Sequence, residues 1–421
     1  MNESAQGLDS LPHTVFLRRL AGATRGTSID ARLGRAAFLV LRLIDLLAPD
    51  ERPLVPDAFN YQHAATARAC RGLPADRPET SHLIGVVQST ADAYHTQDVG
   101  LLFPALFAYA HYLEDELRLE EALDVLETVE RVSGEALRAE DRVAARLRTA
   151  RVLRKLNRFD PADRAYEEAG ALAAAVGDKH CELLSRIGRV YTVTARGNLG
   201  DADVSLRAIL ADAQSAGDQD AQALAHQGMA VVFGARGQPA EGIPHLWRAF
   251  ELHADEPSRT RALADLGASL AMVGDIDGAE RALGEVVRRG DSEEAVSNAL
   301  IELMSCASFR RDRVGFERWK ERCEARRASM PPNVLADFYL RFAIGKARFG
   351  LFERAEELLD VALAIAQDRH LHELEFRIQR IKGGIRECRC ETARPLEDGM
   401  VPTFASDAAQ EVWAGLAQLQ P

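Results

Sequence analysis

The chain has 421 residues, of which 47% are hydrophobic, 28% charged and 6% aromatic, with 64 acidic side chains against 52 basic ones. That is ample material for a core, and a net charge of −12 with a pI near 5.5 removes the broad basic field on which a dedicated nucleic-acid binder depends. No run of about 18 uncharged apolar residues occurs, and the opening MNESAQGLDS lacks the charged-then-apolar order of a secretory signal, so a cytoplasmic protein without membrane contact is expected.

In chain order, residues 1–98 read as helices near 28–47, 57–71 and 80–94, separated by proline-containing turns. No short helix, glycine turn and second basic helix follow one another there, so the region is expected to be a cap or a set of divergent helical pairs, not a DNA-reading module. From 99 to 369 apolar residues recur at spacings of three and four in segments of about 14 to 18 residues. A turn pattern repeats through them: LRLEEAL at 117–123, NRFDPAD at 157–163, GNLGDAD at 197–203, GQPAEGI at 237–243, GDIDGAE at 274–280 and GLFERAE at 350–356. The first four are 40 residues apart and the fifth follows by 37. The gap before Gly350 has room for one further unit, whose degenerate turn is SFRRDRVG at 308–315, giving seven repeats. Residues 370–421 are expected to form a capping helix over 372–388, a proline-containing connector over 392–405 and a short closing helix over 408–419. The six cysteines are too sparse for a disulfide scaffold. If the segment between them is helical, Cys388 stands about 24 Å beyond His372, so only a sharp fold at Gly383-Gly384 would let Cys388 and Cys390 share a zinc ion with His370 and His372.

Side-chain size explains the spacing. Five residues after each anchor (Leu117, Asn157, Gly197, Gly237, Gly274, Gly350) the chain reads Ala122, Ala162, Ala202, Gly242, Ala279 and Ala355, so two helices can approach closely. Positions +9 and +12 supply larger neighbours such as Leu126, Tyr166, Leu206 and Leu283, while position −7 is again small at Ala110, Ala150, Ala230, Gly267 and Ala343. Each unit is thus an antiparallel helix pair that cannot bury its apolar faces alone, so neighbours must stack. The fold class is all-α. The turn Gly274-Asp-Ile-Asp-Gly-Ala279, preceded by Leu266-Gly267 and Leu270, resembles the tetratricopeptide repeat, over about residues 101–369. The period nearer 40 than 34 and the missing early tryptophan make it similar to the long-helix variety found in bacterial regulators and adaptors.

That resemblance implies a right-handed α-solenoid with helical caps, whose first helices line a concave groove through positions −10, −6, −3 and −2 from each anchor. Those positions read Phe107, His111, Glu114 and Asp115, then Leu147, Arg151, Arg154 and Lys155, then Ile187, Tyr191, Thr194 and Ala195. Gln227, Val231, Gly234 and Ala235 follow, then Ala264, Ala268, Ala271 and Met272, so the groove passes from acidic to basic to small and apolar. The candidate binding residues are Phe107, His111, Arg151, Arg154, Lys155, Tyr191 and Gln227. Arg151, Arg154 and Lys155 suit the carboxylates of an acidic peptide, and Tyr191 suits stacking; alternatively the cations answer Glu114 and Asp115 of the preceding repeat. Charge reversal at Arg151 and Arg154 is expected to weaken binding and spare the fold.

Trp247 and Trp319, on second helices, are expected to pack between units, whereas Trp413 can dock on the chain itself or on a partner. Catalytic signatures are missing: no phosphate loop, no nucleophile elbow, and His372-Glu373 fails as a zinc helix because Phe376 stands where the second histidine belongs. Asp275-Ile-Asp277-Gly278 lacks the downstream ligands of a calcium loop. The expectation is therefore a non-enzymatic adaptor or scaffold without metal or cofactor, binding a protein or peptide segment, with self-association open. The alternative is a ligand- or peptide-responsive receptor acting on a separate effector protein.

Overall fold

The helix-ending turns share one local conformation. Leu117, Asn157, Gly197, Gly237, Gly274, Arg311 and Gly350 all have φ between 55° and 83°, the left-handed region. In each turn the next residue's N–H bonds the carbonyl five positions back, from Arg118 to Leu113 at 2.8 Å through Leu351 to Lys346 at 2.9 Å, which closes the helix and reverses the chain. Six of these residues are the anchors named above. The seventh, Arg311, lies inside the degenerate turn at 308–315.

The computed structural model describes residues 11–21, 28–48, 56–133, 136–290, 293–327, 330–369, 371–390 and 407–418, and every regular element among them is helical. The chain forms two compact units, Met1–Thr192 and Val193–Pro421. In the first, a 3-10 turn at Thr14–Leu17 leads into α1 (Arg18–Ala21), followed by α2 (Ile29–Asp45), α3 (Pro56–Arg71) and α4 (Pro78–Thr96). The repeat pairs then begin with α5 (Phe103–Asp115) and α6 (Leu119–Ser133), and α7 (Ala139–Lys155) and α8 (Phe159–Val176); α9 (Lys179–Ala195) runs across the unit boundary. The second unit holds α10 (Leu199–Ala216), α11 (Gln219–Ala235), α12 (Pro239–Leu252), α13 (Glu256–Met272), α14 (Ile276–Arg289), α15 (Glu293–Phe309) and α16 (Arg313–Arg326). It continues through α17 (Pro332–Arg348), α18 (Phe352–Asp368), α19 (His372–Cys390) and α20 (Asp407–Gln418).

Within each unit consecutive helices pack as antiparallel pairs. Ala122, Ala162, Ala202, Ala279 and Ala355 are wholly buried, as the close approach of two helices requires. Larger residues at +9 reach the following pair: a Cβ on Gly188 would stand 2.1 Å from the Tyr166 ring, and one on Gly228 would stand 2.8 Å from Leu206. The degenerate unit swaps the sizes, with Phe316 fully buried at the +5 place and Gly345 opposite leaving room for its ring. Trp247 and Trp319 pack against the apolar clusters of the second unit. Asp275 and Asp312 accept hydrogen bonds from the Gly278 and Gly315 N–H groups at 2.9 Å each, so the calcium-like DID sequence is a helix cap.

The first repeat is closed by two charge clusters. Buried His13 directs Nδ1 to Asp124 at 2.5 Å and Nε2 to Asp45 at 3.1 Å, and Asp45 also accepts from Arg42 and Arg131. Arg19 and Arg118 each donate to both Glu79 and Glu121, and the Tyr109 hydroxyl donates to Glu79 at 2.8 Å. These contacts tie the segment before α2 to α4 and α6. The connector expected over 392–405, and the side chains of Cys388 and Cys390, lie outside the described residues.

Candidate peptide-binding surfaces

Three residues of α7 that share one side meet a single carboxylate. Glu114, near the end of α5, is 1% exposed, and three cations converge on it: Arg148 Nη1 at 2.7 Å, Arg151 Nε at 2.6 Å and Lys155 Nζ at 2.7 Å. The i, i+3, i+7 spacing of the three is why one helix can deliver them together. Burial by itself would push the Glu114 carboxyl up, but the Arg151 and Lys155 charges and the hydrogen bonds from Lys155 and Arg148 hold it down to about 2. Lys155 is held below the usual ammonium range, because burial and the neighbouring Arg151 outweigh the pull of Glu114. One negative charge answers three positive ones, and the Arg151 side chain is still 50% open to water.

Around this nest stand the other candidates of the first unit. The Arg154 guanidinium lies 5.2 Å from the centre of the Tyr191 ring and hydrogen-bonds the side chain of buried Tyr166. Phe107 is half-buried, stacks on Phe103 at 5.0 Å and carries the Arg148 guanidinium 5.6 Å from its ring centre. His111 is exposed and pairs with Asp115, Nδ1 to Oδ2 at 3.2 Å. The structure therefore brings Phe107, Arg151, Arg154, Lys155 and Tyr191 into one linked wall, but Arg151 and Lys155 are engaged with Glu114, as the alternative reading of these cations required.

Two groove positions are corrected. Glu114 and Ile187, expected to line an open surface, are buried, because they pack into the interior between neighbouring helices. Arg148 was missed, since it falls at −9, outside the positions read as inward. The signal for it was present in the helix VAARLRTARVLRKL, where a cation three residues before Arg151 shares its side.

In the second unit Gln227 belongs to a different arrangement. Its Oε1 lies 3.1 Å from Nε2 of buried His253, whose Nδ1 meets Asp220 at 3.1 Å, and Gln227 also hydrogen-bonds Asp265. Asp220, His253 and Asp255 place ligand-type atoms within 4.8 Å of one another. These atoms are engaged within the fold, since Asp255 caps α13 through the Ser258 N–H at 2.8 Å and both nitrogens of His253 are occupied by hydrogen bonds. Among the expected apolar positions Val231, Ala235 and Met272 are exposed, with Ala264, Ala268 and Ala271 half-buried beside them. Phe309, 52% exposed, occupies the equivalent −2 place of the degenerate unit and could be recognised only once Arg311 was known to be its anchor.

No helix among the described residues is long and apolar enough to cross a membrane. No protein-family model and no curated protein matches the chain. Among solved structures, the chain is similar to the APC/C hetero-tetramer Cut9-Hcn1, with 12% identity over 96% of this chain and 86% of that one and a TM-score of 0.48. It is also similar to a Rap protein complexed with competence and sporulation factor, with 12% identity, 86% and 98% coverage and a TM-score of 0.43. NprR in complex with its cognate peptide NprX gives 13% identity, 83% and 97% coverage and a TM-score of 0.43. At these scores the likeness is loose. Its own left-handed turns and sequentially packed helix pairs, recurring at close to 40 residues, give the chain an all-helical repeat fold of the kind that the tetratricopeptide resemblance implies.

Proposed function

We propose that this is a non-enzymatic binding protein whose α5–α7–α9 wall takes a peptide or protein segment bearing carboxylates, so that it serves as an adaptor or scaffold. The observation that carries this reading is the surplus of positive charge around Glu114: three cations on one buried carboxylate, with Arg151 half open and Arg154 spread over Tyr191. In a chain of net charge −12 such a local excess attracts an anionic side chain while the remaining surface repels it, which favours one docking position. A guanidinium already ordered by Glu114 also loses little freedom when a ligand carboxylate arrives.

The geometry changes the choice of test variant. Charge reversal at Arg151 places a second carboxylate against buried Glu114, so it probes folding as well as binding. Arg151→Met with Arg154→Met keeps the stems and removes both guanidiniums, while Arg148 and Lys155 still neutralise Glu114. The experiment is fluorescence anisotropy with a labelled decapeptide rich in Asp and Glu, beside its Asn/Gln counterpart. The wild type should favour the acidic peptide by about ten-fold at low salt, and the double variant should lose that preference while keeping its helical circular dichroism. Equal affinity for the two peptides, or an unaltered preference in the variant, removes the reading.

A further inference from the structure

The α20 helix lies against the second helices of two consecutive repeat pairs, α12 and α14. Its contact is small and has a definite chemistry. Val412 and Leu416, one helical turn apart, are each only 1% exposed and join the apolar cluster that contains Ile243, Leu246 and Trp247. Between them Gly415 lets the helix backbone lie directly on Trp247: a Cβ there would stand 2.0 Å from the indole ring. Trp413 stays at the rim, 38% exposed, with the Arg281 guanidinium of α14 5.7 Å from its ring centre. The Trp247 N–H donates to Glu251 on its own helix, so the indole is held in place from beneath and presents its ring to α20.

This is how an amphipathic helix sits in a preformed groove: a narrow apolar stripe, a small residue where the backbones are closest, and a cationic contact at the edge. It differs from the repeat pairs of the unit, where both helices carry long buried stripes. A helix of twelve residues is marginal by itself, so α20 depends on this seat, whereas the seat is built by α12 and α14. We propose that the α12–α14 face is a binding site for an amphipathic helix bearing an apolar residue, glycine three positions on and leucine next. In this proposal the occupant is the α20 sequence itself, held as a detachable ligand of the seat, so that the α20 of a second copy can take its place. Tethering makes the chain's own α20 the favoured occupant at low protein concentration, and release exposes Trp247 to the incoming helix.

The test uses the full chain. Val412→Asp with Leu416→Asp puts two carboxylates into the seat and should undock α20. A labelled peptide of residues 406–421 should then bind the double variant at least about ten-fold more tightly than it binds the wild type, whose own α20 competes. Two of the three tryptophans lie in this contact, so undocking should move tryptophan emission to the red, and the added peptide should partly reverse the shift. The same peptide carrying Gly415→Val should fail to bind, because its side chain meets the Trp247 ring. Equal peptide binding by variant and wild type, no binding by either, or undiminished binding of the Gly415→Val peptide would each overturn the proposal. So would loss of the helical circular dichroism of the whole variant chain, since α20 would then be part of the core and not a ligand.

Discussion

At Glu114 a single buried carboxylate gathers three cations, and its charge bears on stability and on the proposed binding alike. Its pKa lies well below the ordinary 4.5, near 2, so its contribution is fully present above pH 4.5 and is lost as the pH falls from there toward 2. Glu114→Gln should therefore flatten the acid limb of a stability-against-pH curve measured by urea titration. At neutral pH it should cost about 2 kcal/mol, below the range of about 3–5 for breaking a fully buried pair, because Arg151 stays half hydrated. Gly188 offers a second test at this scale. Alanine there gains about 1 kcal/mol of helix propensity, yet its Cβ meets the Tyr166 ring, and overpacking of this kind costs about 1–3 kcal/mol. Gly188→Ala should lower the urea midpoint, and because Tyr166 also holds Arg154 it should weaken acidic-peptide binding as well.

Among the elements, the turns decide where each pair begins and ends. Of the seven left-handed anchor positions inside the repeat pairs, four are glycine and three are not: Leu117, Asn157 and Arg311. Leucine in that conformation costs about 1–2 kcal/mol, so Leu117→Gly should raise the melting temperature by a few degrees even though it removes a side chain. The reverse change, Gly350→Val, introduces a β-branched residue at φ 81° and should lower it by a similar or larger amount. Differential scanning calorimetry of the two variants checks both signs. The capping aspartates Asp275 and Asp312 belong to the same local code, with a glycine three residues on giving each carboxylate its space.

For the molecule as a whole, the closure of the first repeat by the N-terminal segment is the feature most exposed to solution conditions. Burial by itself lowers the pKa of His13, but hydrogen bonds and charge from Asp124 and Asp45 outweigh it, and the imidazolium is favoured. A group raised in this way stabilises the folded chain fully below its ordinary pKa of 6.5, and the contribution disappears as the pH rises through the folded value. Thermal melts of the wild type should therefore decline as the pH rises above 6.5 more than those of His13→Gln, in which the dependence is removed. The repeat number, the anchors and the closing helix were legible in the sequence because helical periodicity and turn chemistry are local: Gly274 and Ala279 declare their roles from five residues apart. Arg311 was hidden because an arginine carries no left-handed signature, and Arg148 because its partner Glu114 lies on another helix. The chain by itself determined an all-helical repeat of small residues behind left-handed turns, since backbone conformation and side-chain size act within one turn. Which cation meets Glu114, whether Ile187 is buried, and that Trp247 holds α20 were decided only by the tertiary structure, because those energies depend on distances between residues remote in sequence.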